Sequence, residues 1–363
     1  MKDNILTVKS SNEEKRYKVY ISKFFKQFYN VFTENIIEKN KIFLITDDKI
    51  EKLYLPLIKE MRHKLSCKVF AIEHGEQNKN YNTISKIYEF LLEHNCGRND
   101  IIIALGGGVV GDMAGFAAAT YMRGIWYINI PTTLISQVDS CIGGKTGYNF
   151  SELKNSIGCF YNPSLVYIAT EFLNTLPKDE LLNGMGEVLK YGLIKDDSFY
   201  KYIEDNLVSF MNLEDDILIH IINNCIEFKA VVVNKDYSDK GTRNILNFGH
   251  TVGHGLEAAS KYTLPHGVAV ALGMLVSIKL SDRKFNLDKE IYFRTKNIYK
   301  KLGLPTVFKV DNFESFLYAI NHDKKNSSQL NFILLKALGS CEIKVSISEE
   351  ELLWALKNSI SED

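Results

Sequence analysis

The sequence lacks an excess of charge of either sign and lacks a long hydrophobic run. Lys plus Arg and Asp plus Glu number 44 each among 363 residues. No global electrostatic field therefore attracts nucleic acid or an anionic membrane, and any anion-binding site must be local. No apolar stretch reaches the roughly 18 residues that span a bilayer, and the first residues lack the apolar core of a signal peptide. We expect a cytoplasmic protein with no nucleic-acid or membrane partner.

Closely spaced cysteines are also absent. The six cysteines contain no CxxC pair, and several lie inside apolar runs. This pattern argues against a zinc–thiolate framework and favours reduced, buried thiols over disulfides. The chain is 45% hydrophobic, which is enough for a large core, and its length favours two domains over one.

Short apolar runs alternate with helical patterns in the first half of the chain. This alternation is typical of a parallel sheet that is buried on both faces. We predict strands at residues 17–20, 42–46, 69–72, 101–105, 125–130 and 165–169, and helices at residues 49–65, 81–92 and 113–120.

A glycine-rich turn, residues 106–112, joins the predicted strand at residues 101–105 to a helix. Its sequence GGGVVGD matches G-x-G-x-x-G in the strand-to-helix context in which this motif binds a dinucleotide. The alternative is a tight turn that binds nothing. The usual acidic residue about twenty positions later is missing, but Asp47, after an earlier strand, could contact the ribose. The hydroxyls of Thr132 and Thr133 could also contact the nucleotide.

Lys145 lies in the sequence Gly-Gly-Lys-Thr, which resembles the end of a P-loop. Asp139 occupies the position of the first P-loop glycine, so this motif is excluded. Lys145 could still bind an anion near Asp139, and the alternative is a lysine in a surface turn.

The pattern becomes mostly helical after Pro177. Helices are predicted at residues 178–194, 198–211, 215–234, 249–261, 267–285, 289–301 and 312–321, and a small hairpin at 331–335 and 341–345. The predicted fold class is therefore α/β: a parallel-sheet domain over residues 1–177 followed by a mostly α-helical domain over residues 178–363.

Three of the eight histidines lie between residues 243 and 267. His250 and His254 are four residues apart in a predicted helix, so both imidazoles can face one metal ion. Thr251 stands where a His-Glu-x-x-His zinc protease has its glutamate, which excludes that class. His266 follows Pro265, and a turn at Gly267 could bring it back to the pair. The alternative is that these are ordinary helix and loop histidines.

A catalytic zinc or cobalt ion needs about three protein ligands, so a carboxylate from elsewhere is expected. Glu187 is the best candidate because it lies among glycines and apolar residues in NGMGEVLKY. Lys190 is three residues further on the same helical face, and the alternative interpretation is an exposed ion pair.

Seven segments of the chain, taken in order, form a more specific pattern than any one of these motifs. They are ALGGGVVGDMAGFAAATYMRG, IPTTLISQVDSCIGGKTGYN, LKNSIGCFYNP, GMGEVLKYGLI, RNILNFGHTVGHGLE, LPHGVAVALGM and HDKK. Because it contains these seven segments in this order, the chain resembles the 3-dehydroquinate synthases, a family of the sugar-phosphate cyclase superfamily. The resemblance implies a Rossmann-like NAD-binding domain and a helical domain that binds the metal ion and the substrate.

The resemblance also implies an activity. Members of this family are carbon–oxygen lyases that convert 3-deoxy-D-arabino-heptulosonate 7-phosphate into 3-dehydroquinate and phosphate in the shikimate pathway of aromatic amino acid biosynthesis. The reaction combines transient oxidation by NAD, elimination of phosphate, reduction and an intramolecular aldol closure. The implied cofactors are NAD and a zinc or cobalt ion, and the implied assembly is a homodimer.

Site residues follow by matching motif positions. The implied metal ligands are Glu187, His250 and His266, whereas His254 corresponds to a residue that contacts the substrate. The other substrate-site positions are Asp139, Lys145, Lys154, Asn155, Lys190, Lys229, Arg243, Asn247 and one lysine of Lys324 and Lys325, with Arg123 reaching the substrate of the neighbouring subunit. The NAD positions are Asp47, Glu76, Lys79, Gly107, Gly108, Asp112, Thr132, Thr133 and Thr175, together with Lys145 and Lys154.

Two positions depart from the family pattern. Asp239 stands where the family has glutamate, and Ala169 stands where it has an acid after the last strand. Three alternatives remain at this point: a sister cyclase acting on another sugar phosphate, a metal-dependent polyol dehydrogenase, and a non-catalytic binding relative. The residues Lys154, Asn155 and Asn247 and the segment Asp-Lys-Lys favour the dehydroquinate enzyme.

Overall fold

A computed structural model of the chain describes residues 4–9, 16–36, 40–151, 153–309, 313–322 and 330–361. The chain forms two compact units. The first comprises Met1–Leu176 with Leu218–Ser238, and the second comprises Pro177–Ile217 with Asp239–Asp363. None of the helices within the described ranges is long and apolar enough to cross a membrane.

The strands of the first unit form a seven-stranded sheet and a separate hairpin. In chain order they are β1 (Asn4–Lys9), β2 (Arg16–Ser22), β3 (Ile42–Asp47), β4 (Lys68–Ile72), β5 (Ile101–Gly106), β6 (Trp126–Pro131), β7 (Lys145–Phe150), β8 (Leu153–Phe160) and β9 (Leu165–Ala169). The sheet has the order β1-β2-β9-β6-β5-β3-β4, and every pair in it is parallel except β1 with β2. The predicted parallel sheet is confirmed.

Helices cover both faces of this sheet. They are α1 (Phe28–Asn35), α2 (Asp48–Leu53), α3 (Leu55–Leu65), α4 (Tyr81–Glu93) and α5 (Gly108–Thr120). Successive side chains of β3 point to opposite faces: Leu44 joins the core formed with α1 and α3, whereas Phe43 and Ile45 join the core formed with α4 and α5. Burial on both faces explains why these strands read as continuous apolar runs.

The helix predicted over residues 49–65 is broken into α2 and α3 at Tyr54, which has φ −111° and ψ 30°. Pro56 is the cause, because its ring would clash with the carbonyl group four residues earlier in a continuous helix. The predicted helix over residues 198–211 is likewise interrupted, at Asn206, whose side chain donates to the carbonyl oxygen of Tyr202 at 2.8 Å.

The direction of chain progression across the sheet reverses between β3 and β5. From β3 the chain moves outward to β4, then returns to β5 on the other side of β3 and continues through β6 to β9. Parallel α/β sheets bind ligands at the carboxyl ends of the strands at such a switch point. Asp47 ends β3, Gly106 ends β5 and Thr132 follows β6. The predicted nucleotide residues therefore lie on neighbouring strands at this edge.

The remaining elements are mainly helical. They are α6 (Lys178–Lys195), α7 (Asp197–Asp205), α8 (Leu207–Met211), α9 (Asp215–Lys235), α10 (His250–Ala259), α11 (His266–Phe285), α12 (Lys289–Leu302), α13 (Phe313–His322), β10 (Leu330–Ala337), β11 (Ser340–Ile347) and α14 (Glu349–Ser359). The predicted hairpin is present as the antiparallel pair of β10 and β11.

One segment of the predicted second domain belongs to the first unit. Most of α9, from Leu218 onward, lies there although the sequence suggests a single domain over residues 178–363. Lys229 Nζ is 3.1 Å from Asp139 Oδ1, and the ring of Tyr237 lies 5.4 Å from that of Phe160. A helical pattern locates a helix but does not show which neighbour it packs against.

The hairpin of β7 and β8 was not predicted, and Lys145 begins a strand rather than lying in a turn. Gly147 and Gly158 weaken the strand signal, yet the pairing requires them. A Cβ on Gly147 would collide with the carbonyl oxygen of Ile157, and a Cβ on Gly158 with that of Thr146.

Glycines bring the backbones of α6, α10 and α11 into contact. A Cβ on Gly186 of α6 would collide with the carbonyl oxygen of Gly267 in α11, and a Cβ on Gly267 would collide with that of Asn183. Gly273 of α11 lies in the same way against the carbonyl oxygen of Gly249, the N-cap of α10. These contacts allow the three helices to approach more closely than side chains permit.

His266 is the first residue of α11, with Pro265 as its N-cap. The predicted tight turn at Gly267 is therefore wrong. Proline favours the start of a helix because its fixed φ suits the position, and Gly267 serves the contact with α6 instead. His266 is held by a helix terminus rather than by a loop.

We predict that Gly186→Ala lowers the free energy of unfolding by about 1–3 kcal/mol, the usual cost of overpacking. The added Cβ meets backbone, so α6 and α11 must separate. Urea denaturation of the metal-free protein measures this. Gly97→Ala is the matched control, because its Cβ would meet only Asp100 Oδ2 at 3.5 Å. Equal stability of Gly186→Ala and the unaltered protein would contradict the backbone contact.

Candidate active site

Glu187, His250 and His266 converge in the second unit. Each offers one ligand atom, and these atoms lie within 4.8 Å of one another. The Nε2 atoms of both histidines are 3.5 Å from the same oxygen, Oε1 of Glu187. Glu187 is 1% exposed, on the buried face of α6. The structure thus brings together the three residues that the motifs imply as metal ligands.

The three residues suit a zinc or cobalt ion. Two imidazoles and one carboxylate are a donor set found in catalytic zinc sites, which keep a fourth position open. A tetrahedral ion with bonds of about 2.1 Å separates its ligand atoms by about 3.4 Å. The two N···O separations of 3.5 Å match that spacing, so the cluster fits the ion without rearrangement.

His254 lies beside this cluster but not in it. Its ring centroid is 5.6 Å from that of His250 and 6.0 Å from that of His266. It forms a second possible set with Glu257 and His266. The spacing of four residues thus places His250 and His254 on one face, but the ligand atoms grouped around Glu187 come from His250 and His266.

The two cluster histidines differ in charge. Burial lowers the pKa of His250 to about 3. Burial also opposes a positive charge on His266, but the negative charges of Glu187 and Glu257 outweigh it and raise the pKa of His266 to about 10. His250 is therefore neutral at pH 7, the form that binds a metal ion, whereas His266 must release a proton before it can do so.

Three cationic or polar residues of the predicted substrate set belong to the same unit as this cluster. Lys190 is 1% exposed and forms an ion pair with Glu187 one helical turn away. Arg243 is 2% exposed, and Asn247 ends the same short helical turn just before α10. The alternative interpretation of Glu187 and Lys190 as an exposed ion pair is therefore excluded by burial. Lys324 and Lys325 lie outside the described residues.

The glycine turn in the first unit meets the requirements of a phosphate-binding turn. Gly107 is the N-cap of α5, and a Cβ on it would lie 3.1 Å from Cγ2 of Thr133. Within the described part of the chain, Oγ1 of Thr132 is buried without a hydrogen-bond partner. A helix N-terminus with closely approaching backbone favours an anionic group. The residues at this edge therefore fit a dinucleotide.

Two other predicted nucleotide residues already have hydrogen bonds within the protein. Oδ1 of Asp47 caps α2 by accepting from the backbone N–H of Ile50 at 2.8 Å, and Thr175 is hydrogen-bonded to the hydroxyl of Tyr54. Burial raises the pKa of Asp47.

Lys79 is the centre of a polar network between α5 and the β7–β8 hairpin. It is 4% exposed, and its Nζ is 2.6 Å from Oδ2 of Asp112 and donates to Oδ1 of Asn155. Burial opposes its charge, but Asp112 and Glu76 outweigh burial and raise the pKa of Lys79. Asn155, expected in the substrate site, thus contacts a predicted nucleotide residue.

Asn149 extends this network. Its Nδ2 donates to Oε1 of Glu76 at 2.9 Å, and its Oδ1 accepts from the backbone N–H of Asn155 at 2.8 Å. The sequence analysis missed Asn149, because its place in the network follows from the β7–β8 hairpin, which was not predicted.

The other predicted anion-binding residues of the first unit fall into two groups. Lys229 is 5% exposed and donates to the backbone oxygen of Asp139 at 2.6 Å, in addition to its ion pair. Lys145, Lys154 and Arg123 are exposed. Lys229 is thus held in place by Asp139, whereas the other three residues lie at the surface.

The sheet unit with a glycine turn at its switch point, and the helical unit with a two-histidine, one-carboxylate cluster, define a class of two-domain proteins. Solved structures share this fold. A 2-deoxy-scyllo-inosose synthase in complex with carbaglucose-6-phosphate, NAD+ and Co2+ has a TM-score of 0.88 at 24% identity and covers 98% of this chain and 100% of its own. An iron-containing alcohol dehydrogenase from Thermotoga maritima has a TM-score of 0.64 at 14% identity, covering 98% and 99%.

Sequence comparison defines the family. The model of the 3-dehydroquinate synthase N-terminal domain matches residues 69–183, and that of the C-terminal domain matches residues 184–326. A 3-dehydroquinate synthase of Clostridium tetani is 51% identical over 349 residues, which are 96% of this chain and 94% of the relative. One from Thermoanaerobacter pseudethanolicus is 42% identical over 88% of this chain and 91% of its own. The chain belongs to the 3-dehydroquinate synthase family.

We predict that His250→Ala weakens zinc binding more than about 100-fold, beyond the usual effect of residues outside the ligand set. His254→Ala should bind zinc as the unaltered protein does, because His254 is outside the Glu187 cluster. Competition with a chromophoric chelator measures both affinities, with His63→Ala as an exposed histidine control. Equal losses in His250→Ala and His254→Ala would contradict this assignment.

Proposed function

We propose that the chain catalyses the reaction of its family, the conversion of 3-deoxy-D-arabino-heptulosonate 7-phosphate into 3-dehydroquinate and phosphate. The convergence of Glu187, His250 and His266 is the observation that carries this proposal, because these residues occupy the family's motif positions and also meet the distances of a single ion. The proposed enzyme is a carbon–oxygen lyase.

We infer that the ion is zinc or cobalt and the second cofactor is NAD. The solved 2-deoxy-scyllo-inosose synthase contains NAD+ and Co2+, and a 2-epi-5-epi-valiolone synthase from Streptomyces hygroscopicus subsp. jinggangensis 5008 has NAD+ and Zn2+ bound. When bound, the metal lowers the pKa of a coordinated hydroxyl group and NAD accepts and returns a hydride. The proposed NAD residues are those at the switch point of the sheet.

The charges of the site suit a substrate with an anion at each end. The substrate carries a carboxylate and a phosphate, and the proposed binding residues are cations and amides. Buried Lys190, Lys229 and Arg243 keep fixed positions, so binding needs little side-chain ordering. Hydrogen bonds between charged groups are roughly twice as strong as neutral ones. The protein thereby orients the substrate rather than supplying a nucleophile.

Lys190 and Lys229 each have an acidic partner within their own unit. Lys190 pairs with Glu187, and Lys229 pairs with Asp139. Removing a charge from water costs several kcal/mol unless a partner compensates it. These pairs hold both ammonium groups in place, where they can donate to an oxygen of the substrate. His254, half-buried beside the cluster, is proposed to contact the substrate as well.

The proposed assembly is a homodimer in which Arg123 reaches the neighbouring subunit's substrate. Arg123 is exposed, and Met122, Arg123 and Gly124 have successive positive φ values of 48°, 67° and 117°. This tight turn follows α5 and leaves Arg123 at the surface. A cytoplasmic location stays a prediction, supported by the six free cysteines, which suit a reducing compartment.

Phosphate release from three substrates tests the proposed function. With NAD and zinc, we expect release from the heptulosonate 7-phosphate at a kcat/KM at least about tenfold above that for a heptulose 7-phosphate or glucose 6-phosphate, which corresponds to about 1.4 kcal/mol of discrimination. NADH should not accumulate, because the hydride is returned in each cycle. Faster release from another sugar phosphate, or stoichiometric NADH formation with a polyol, would reject the proposal.

We predict that Lys145→Ala lowers kcat/KM for the heptulosonate about 10- to 100-fold, because a hydrogen bond to a charged group contributes about 1.5–3 kcal/mol. Lys145 is exposed, so the free energy of unfolding should not change. Steady-state kinetics and thermal denaturation measure the two effects. Lys52→Ala, which removes another exposed lysine, is the control. Unchanged kinetics in Lys145→Ala would remove this residue from the proposed site.

A further inference from the structure

We propose that Glu257 is a positioning residue that orients His266 so that its Nε2 faces the metal ion. This inference rests on the proposed metal site. Glu257 is 3% exposed, and its Oε2 is 3.1 Å from Nδ1 of His266. Neither the spacing of the histidines nor the implied ligand set includes it.

Glu257 lies on the same face of α10 as the histidines. Residues 250, 254 and 257 are separated by four and three positions, which places them along one helical stripe. His250 is at the first turn of α10 and Glu257 is near its last. His266, at the start of α11, lies against this stripe with its ring 5.3 Å from that of His250. The stripe therefore contacts the His266 ring through both His250 and Glu257.

The two ring nitrogens of His266 have different partners at different distances. The separation of 3.1 Å between Nδ1 and Glu257 lies within the range of a hydrogen bond, whereas the 3.5 Å between Nε2 and Glu187 is beyond it. The longer distance matches two ligand atoms of one tetrahedral ion. The proton that His266 releases on metal binding is therefore the one on Nε2, so that in the metal-bound form Nδ1 keeps its hydrogen and Nε2 has the lone pair for the metal.

His250 supports this assignment independently. Its Nδ1 is 3.2 Å from the backbone oxygen of Phe248. A carbonyl oxygen only accepts, so the hydrogen of His250 is on Nδ1 and the lone pair of Nε2 faces Glu187. A lone pair opposite a carboxylate is repulsive unless a cation lies between them. The cation is thus expected near Glu187, and Glu257 is left as a hydrogen-bond acceptor rather than a ligand.

The backbone also fixes Glu257 relative to His266. The carbonyl oxygen of Glu257 accepts from the backbone N–H of Tyr262 at 2.7 Å and from Oγ of Ser260 at 2.9 Å. Lys261 follows with φ 52°, as in the Schellman motif that ends a helix. This turn leads directly to Pro265 and α11, so the donor and the acceptor are joined by a short, ordered segment.

A carboxylate that accepts the Nδ1 hydrogen sets the tautomer and makes the metal-binding nitrogen more basic. Removal of such a partner weakens metal binding about 10- to 100-fold. We expect Glu257→Ala to raise the dissociation constant for zinc by that factor. Glu257→Gln keeps an oxygen acceptor and should recover part of the loss. Glu204→Gln, which removes a carboxylate bonded to Arg294, should leave the affinity unchanged.

Two spectroscopic measurements distinguish orientation from a merely structural role. Cobalt-loaded Glu257→Gln should keep the visible absorption bands of the unaltered protein, because the ligands are the same, whereas Glu187→Gln should not. In the zinc-loaded unaltered protein, nitrogen-15 chemical shifts should show His266 protonated at Nδ1 and metal-bound at Nε2. The second measurement needs no variant and therefore applies even if Glu257→Ala fails to fold.

Three results would overturn this inference: an unchanged zinc affinity in Glu257→Ala, altered cobalt bands in Glu257→Gln, or metal bound at Nδ1 of His266. Failure of the proposed function has a different signature, because the unaltered protein would then bind no zinc or release no phosphate. If the unaltered protein binds zinc and releases phosphate, and the Glu257 variants bind zinc equally well, only the role of Glu257 is rejected.

Discussion

The close approach of the α6 and α11 backbones is the constraint on which the site depends. Gly186 and Gly267 meet where no Cβ fits, and the residue next to each is a proposed metal ligand, Glu187 on α6 and His266 on α11. The contact of Gly249 with Gly273 places His250, the first residue of α10, against the same point. The three proposed ligands, distant in sequence, are thus positioned by helix termini and helix faces rather than by loops, which favours a preorganised metal site.

The electrostatics of the cluster follow from burying Glu187. A carboxylate that is 1% exposed needs compensating charge, and Lys190, His266 and a divalent ion can all supply it. The pKa of His266 is raised and that of His250 is lowered, so His266 supplies a positive charge beside Glu187 while His250 stays neutral. In the first unit, Lys79 with Asp112 and Lys229 with Asp139 follow the same rule. Each of these buried charges thus has a partner of opposite charge within its own unit before any ligand binds.

Much of this could be predicted from the sequence. Alternating apolar runs show the parallel sheet, GGGVVGD shows the turn at its edge, and the motif positions of Glu187, His250 and His266 name the residues that the structure brings together. The rest depends on tertiary contacts that local patterns do not encode. Gly267 reads as a turn because its partner in α6 is eighty residues away in sequence, the hairpin of β7 and β8 has glycines where strands usually lack them, and α9 shows no sign of packing on the first unit. Glu257 could have been found from its place seven residues after His250, once a buried helix face was assumed.

The account makes one central claim, that Glu187, His250 and His266 bind a single divalent ion. X-ray absorption spectroscopy of the zinc-loaded protein tests this most directly, because imidazole rings give a countable outer-shell signal and sulfur ligands are distinguished by their longer bonds, about 2.3 Å against about 2.0–2.1 Å for nitrogen. The claim predicts two imidazoles, oxygen in the remaining positions and no sulfur. One imidazole, three imidazoles or a sulfur ligand would contradict it.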